Sequence, residues 1–176
     1  MHPLNNYRLM LLNLDKSEAF FSLIESNRDR LEDFFAGVVK QTRTVEMTYL
    51  YCKEVEKKIG QKTYFPYLII DSKVDKIIGL IDVKNIDWHI PKAELGAFID
   101  AEYEGKGIVT KQVGGLIDDI VELYQFKKLF CRVAPKNKRS IAVVLNLGFE
   151  LEGQIKCDYR TTHGKLVDLN YYGKVF

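Results

Sequence analysis

The hydrophobic pattern changes period at Tyr64, and that change limits the folds open to the chain. Before Tyr64, apolar residues recur mainly at helical spacing; after it, short β-rich runs alternate with single helices. Residues 7–14 read as a first strand. Asp15-Lys16-Ser17-Glu18 has capping-box spacing, and Phe20, Ile24, Leu31 and Phe35 continue at helical intervals, with Asn27-Arg28-Asp29 as a point of division. Val45, Tyr49, Cys52 and Ile59 form a second helical stripe closed by Gly60.

Residues 64–71 and 77–84 flank the polar segment 72–76 and predict a hairpin. Residues 85–91 read as a loop carrying the single tryptophan, Trp88, and residues 92–100 as a further strand. A glycine-bearing loop, 101–107, leads into a helix over 108–125 whose apolar face is Val109, Val113, Leu116, Ile117, Ile120 and Tyr124. Residues 129–134 form a strand stopped by Pro135, and 136–147 a short helix capped by Gly148. Residues 149–176 are two strand-like arms divided at His163-Gly164. This order predicts a mixed sheet of α/β or α+β type, without the repeating βαβ of a doubly wound fold.

At 176 residues, 47% hydrophobic and 28% charged, the chain suits one domain over residues 1–176 with its own core. A net charge of +2 argues against a dedicated nucleic-acid binder. No apolar run approaches the ~20 residues of a membrane span. The start, MHPLNNYRLM, lacks the basic-then-apolar order of a secretory signal. Cys52, Cys131 and Cys157 are far apart and read as buried, reduced thiols, which places the protein in the cytoplasm. His2, His89 and His163 are equally scattered, so no metal site is expected, and no serine lies in a G-x-S-x-G elbow.

The chemistry concentrates in Glu104-Gly105-Lys106-Gly107-Ile108-Val109-Thr110, between a strand and a long helix. Two glycines allow a tight turn and close approach of a ligand, and the helix amides beyond them point at an anion. A phosphate or diphosphate is the natural guest, although such a loop is as often only a turn. Lys106 is followed by Gly107 rather than Ser or Thr, which disfavours a nucleotide-hydrolysing loop. Thr110 stands where a dinucleotide fingerprint needs Gly or Ala.

Three segments together resemble the GNAT N-acetyltransferase superfamily, in particular its RimJ/RimL-like branch of ribosomal-protein N-terminal acetyltransferases. They are residues 93–99 (AELGAFI), residues 103–110 (YEGKGIVT), and residues 132–142 (RVAPKNKRSIA) running on to Leu147-Gly148-Phe149-Glu150. The resemblance implies a central, mostly antiparallel sheet of six or seven strands, flanked by helices, with one splayed parallel pair. It implies acetyl-CoA in the splay, its pantetheine arm paired with the backbone of Ala97, Phe98 and Ile99. The amides of Gly105, Lys106, Gly107, Ile108, Val109 and Thr110 would cradle the diphosphate, Asn137 would bond the pantetheine arm, and Ser140 would lie near the sulfur. The chain departs from the family pattern at Glu104, usually Gln or Arg, and at Val109, usually small. Glu104 sets a negative charge beside the expected anion.

Strand alternation places Glu94 and Gly96 on the face opposite Leu95 and Ala97. A carboxylate at Glu94 can take a proton from the acceptor amine or serve as a structural partner of backbone or lysine. Ser140 is a candidate acid toward the leaving thiolate, or a helix-turn hydroxyl. Tyr124, Tyr159, Tyr171 and Tyr172 are candidates for an acceptor pocket or for core positions, and Trp88 and His89 for its rim. The reading is an acetyl-CoA-dependent enzyme that acetylates a primary amine directly, a protein N-terminus or a small-molecule amine such as a polyamine, antibiotic or metabolite. The alternatives are a non-catalytic acyl-CoA-binding module and a protein binding another nucleotide anion. No metal, nucleic-acid or membrane partner is expected, and the chain is expected as monomer or homodimer.

Overall fold

A computed structural model describes residues 6–176; His2 and most of the amino-terminal segment inspected for a signal lie outside it. The strands are β1 (Tyr7–Leu11), β2 (Phe65–Asp71), β3 (Lys76–Asp87), β4 (Lys92–Ile99), β5 (Lys128–Val133), β6 (Glu150–Arg160) and β7 (Leu166–Val175). The helices are α1 (Ser17–Leu31), α2 (Ala36–Gln41), α3 (Val45–Gly60), α4 (Ile108–Tyr124) and α5 (Lys138–Asn146). One seven-stranded sheet runs β1-β2-β3-β4-β5-β7-β6. Every neighbouring pair is antiparallel except β4 and β5.

That parallel pair is the feature on which the site depends. Its register holds only for Lys92 with Lys128, Ala93 with Leu129 and Glu94 with Phe130. Beyond Glu94 the two strands go on separately, β4 to Ile99 and β5 to Val133, each bonded only to its outer neighbour. The sheet is therefore splayed between β4 and β5 at their carboxyl ends, as the family resemblance implies.

Strand alternation divides the core into two layers. Ile81, Val83, Leu95, Leu129 and Cys131 meet Ile108, Val113, Leu116, Ile117 and Ile120 of α4 on one side. Leu68, Ile70, Leu80 and Phe98 meet Phe20, Leu23 and Ile24 of α1 and Cys52 and Val55 of α3 on the other. Among the described residues no helix is long and apolar enough to cross a membrane.

Four local expectations need correction. The capping box at Asp15 does not form: residues 14–16 make a 3-10 turn, and α1 starts at Ser17 with no side-chain cap. Asn27 does not divide α1; its buried amide donates to the Leu23 carbonyl at 3.0 Å and so satisfies itself within the helix. The buried stripe of α3 is Thr48, Tyr51, Cys52 and Val55, while Val45 and Tyr49 face solvent. Thr44 caps the helix, accepting from the Met47 amide at 3.2 Å. Finally β3 extends to Asp87, because Asn85 (φ 49°) is absorbed as an irregularity in the pairing with β4.

The cysteines divide as well. Cys52 and Cys131 are buried, but Cys157 is exposed at an irregularity of edge strand β6, with φ 53°. Burial pushes the Cys52 thiol up to about 11 and the Cys131 thiol to about 12. Because the thiolate is the reactive form, Cys157 is expected to react with maleimide quickly in the native protein and the other two only on unfolding. Mass spectrometry after brief labelling checks this; two or three rapid additions would contradict it.

Candidate active site

At the open end of the splay, Asp100 caps a 3-10 turn (Ala101–Tyr103), and the chain then enters the glycine loop. Gly105 and Gly107 have φ of 71° and 69°, the left-handed region that glycine adopts without strain. Gly107 is the residue before α4 and offers no side-chain cap, and the first turn of α4 contains no acidic residue. Among the described residues, none of the six amides from Gly105 to Thr110 donates to a protein acceptor. Six donors without a protein acceptor thus follow one another into the positive end of a seventeen-residue helix. Val109 is partly buried against the core, so its side chain does not stand over those amides.

On the far side of the slot, Asn137 Oδ1 accepts from the Ser140 amide at 3.1 Å and caps α5. That bond uses its oxygen and leaves Nδ2 without a protein partner among the described residues. Ser140 lies in the first turn of the same helix, partly buried. Lys106, Lys111, Lys136, Lys138 and Arg139 are all exposed on the segments flanking the slot. Glu104 is held between Arg30 of α1 and Arg139 of α5. Its charge is thereby compensated by two guanidinium groups, which removes the conflict with an anion that its position in sequence suggests.

Glu94 marks the apex of the splay, being the last residue of β4 paired with β5. It is buried, and its Oε2 accepts from Asn85 Nδ2 at 2.6 Å and lies 3.0 Å from Arg132 Nη2. Both contacts fall on one oxygen, and Oε1 has no protein partner among the described residues. Arg132 also reaches Asp158 at 3.3 Å, and Tyr171, stacked on Phe130, donates its hydroxyl to Asp158 at 2.8 Å. Burial opposes the Arg132 charge, but the hydrogen bond and charge of Glu94 outweigh it and raise the guanidinium above its ordinary range.

Two strand positions from Glu94, Gly96 leaves the floor low. A β-carbon there would meet Lys84 Nζ at 3.3 Å and the Phe35 ring at 3.7 Å. Lys84 lies 3.5 Å from the buried Asp82, which also accepts from Tyr64 at 2.5 Å. Burial pushes the Asp82 carboxyl above its usual range, against the pull of Lys84. The floor is walled on one side by the α1–α2 junction and on the other by the β6–β7 hairpin. The hairpin is tied across: Ala36 N–H donates to Tyr159 Oη at 3.0 Å, Thr162 Oγ1 to the Glu32 carbonyl at 2.6 Å, and His163 Nε2 lies 2.9 Å from Glu32.

Glu94, Ala97, Phe98 and Ile99 thus lie along β4 from the point where it parts from β5, the 105–110 loop follows β4, and Asn137 and Ser140 follow β5. Of the four tyrosines, Tyr171 joins the floor and Tyr159 the wall. Tyr172 is buried in the core on the other face, and Tyr124 packs on Phe65. Trp88 stacks on Phe126 and donates to the Lys62 carbonyl at 3.0 Å, beside the amino end of β4 and away from the open splay, so it does not form the rim. His89, in the same exposed turn, does not form it either. Arg132, Asp158, Asp82 and Lys84 were not singled out from sequence. The signal is present in Asp82 and Lys84, two polar residues at period two in the run 77–84, whose other residues are apolar or glycine.

Comparison with known proteins agrees with this geometry. Residues 8–150 match the acetyltransferase (GNAT) domain family. The chain is 31% identical over 110 residues to the uncharacterized N-acetyltransferase p20 of Bacillus licheniformis, 62% of this chain and 60% of that protein. It is 35% identical over 96 residues to the putative ribosomal N-acetyltransferase YdaF of Bacillus subtilis, 54% of this chain and 52% of that protein. Both matches span less than two thirds of the relative's own length. The fold superposes on the ribosomal-protein-S5-alanine acetyltransferase of Vibrio fischeri with a TM-score of 0.87 at 22% identity, covering 97% of this chain and 93% of that one. Splay, amide cradle and family match converge: the chain belongs to the GNAT acetyltransferase family.

Proposed function

We propose that the chain transfers the acetyl group of acetyl-CoA directly to a primary amine, and that this amine is the amino terminus of a protein. The observation that carries the reading is the gap beyond Glu94, with unpaired β4 backbone along one edge and six unpartnered amides at its open end. Acetyl-CoA supplies a thioester, an acyl group on a good leaving group. Ala97 and Ile99 turn their backbone donors and acceptors to the open edge, where the pantetheine arm would pair with them as a peptide does with a sheet edge, whereas Phe98, opposite Leu80, turns its own toward β3. The amides of Gly105, Lys106, Gly107, Ile108, Val109 and Thr110 hold the diphosphate, and Asn137 Nδ2 supplies a further donor to the arm.

Glu94 takes up the amine proton through Oε1, while Asn85 and Arg132 fix the carboxylate by its other oxygen. Ser140 donates its hydroxyl toward the departing sulfur. A thiol held near 12 at Cys131 is unsuited to carrying the acetyl group, which favours direct transfer. The likeness to ribosomal acetyltransferases supports a peptide α-amine as acceptor.

The test is release of CoA thiol from acetyl-CoA across three acceptors: a peptide with a free α-amine, a lysine peptide with a blocked terminus, and spermidine. The α-amine peptide is expected to give the highest kcat/KM. Preference for spermidine would replace the acceptor with a polyamine. Binding of acetyl-CoA without acetylation of any amine would identify a non-catalytic acyl-CoA module.

A further inference from the structure

We propose that Arg139 is a ligand for the phosphates of CoA, held at the mouth of the slot by Glu104 until the co-substrate arrives. The inference rests on the acetyl-CoA reading above and concerns two residues on which the chain's own charge pattern is unusual. Glu104 immediately precedes the amide cradle and engages Arg30 through Oε1 and Arg139 through Oε2. Arg139 follows β5 and Glu104 follows β4, so their ion pair spans the splay from one lip to the other.

The two arginines are held very differently. Arg30 also bonds Asn27 Oδ1 at 2.6 Å and approaches the Ile99 carbonyl at 3.4 Å, so it is anchored to α1 and β4. Arg139 is 83% exposed and has Glu104 as its sole partner among the described residues. An exposed pair of this kind is screened by water and contributes little, so Arg139 leaves it at small cost. A diphosphate seated on the neighbouring amides carries more charge than one carboxylate and offers a guanidinium the bidentate geometry it prefers. Glu104 remains neutralised by Arg30 after the exchange. Glu104 then acts as a placeholder: it orients Arg139 over the mouth and competes with the ligand for it.

The experiment measures acetyl-CoA and acetyl-pantetheine, the same thioester without phosphates, by calorimetry on the parent, Arg139→Gln, Glu104→Gln and the double variant. Arg139→Gln is expected to weaken acetyl-CoA about tenfold, the worth of one charge-assisted hydrogen bond, and to change acetyl-pantetheine by less than about twofold. Glu104→Gln is expected to tighten acetyl-CoA by about two- to fivefold, the small worth of an exposed ion pair, a gain that disappears in the double variant. Unchanged acetyl-CoA affinity in a folded Arg139→Gln, equal weakening of both thioesters, or looser binding by Glu104→Gln would each overturn the proposal. Failure of the parent to bind acetyl-CoA at all would instead remove the reading on which it rests.

Discussion

Glu94→Gln is expected to lower turnover at pH 7 by about 10²–10⁴-fold, the usual worth of a positioned general base. An α-amine has an ordinary pKa near 8 and a lysine amine near 10.4, so either is mostly protonated at neutrality and must shed a proton before attack. Gln retains the size of Glu94 and can still accept from Asn85, but it cannot take that proton. Arg132 loses one of its two carboxylates and keeps Asp158, so the variant should fold with reduced stability. Acetyl-CoA affinity should hardly change, because the amide cradle lies at the far end of the slot. Turnover should recover in part as pH rises and free amine accumulates, a signature that a purely structural carboxylate would not give. If turnover at pH 7 remains within a few-fold of the parent, proton removal belongs to solvent or another group.

The second large effect is on binding. Gly107→Val should have two separable effects, a loss of fold stability and, through a different cause, a weakening of acetyl-CoA by at least about tenfold. At φ 69° an L-residue costs about 1–2 kcal/mol, and a β-branched one lies at the upper end. Thermal unfolding without ligand measures that part alone, since a β-carbon at Gly107 would meet nothing within 4 Å. The remainder appears only when a ligand sits against the loop, as side-chain bulk between the phosphate oxygens and the amides. Gly107→Ala should show most of the first cause and less of the second. A well-folded Gly107→Val with parental affinity in calorimetry would place the diphosphate elsewhere.

Features set by neighbouring residues were readable without coordinates. The period of residues 108–125, the turn at Gly164 and the glycine loop ahead of α4 all express local rules. So did the alternation that put Glu94 on one face and Ala97 on the other. The misreadings came where a local rule was weak or overruled. Val45 and Tyr49 satisfy helical spacing as well as Thr48 and Tyr51 do, and only packing against α1 selects the second pair. Asn85 looks like a turn residue, and is one in its dihedral angle, yet the ladder to β4 absorbs it. The partners of Glu104 stand 74 and 35 residues away in sequence, at Arg30 and Arg139. No spacing rule connects such positions; the sheet order does, by bringing α1 and α5 to the same end of β4. The Glu94–Arg132–Asp158 chain is likewise a product of topology, since three separate strands contribute one residue each.

The short pairing of β4 with β5 also bears on how the molecule holds together. Three residue pairs form the seam between a four-stranded blade, β1 to β4, and a three-stranded blade, β5 to β7. A ligand lying in that seam would bond to both blades and complete a sheet that the polypeptide leaves open. Its concentration then enters the unfolding equilibrium directly, adding about 2.7 kcal/mol at a hundredfold excess over Kd. The co-substrate would then be a structural member as well as a reactant, and the persistence of the fold would be coupled to its supply.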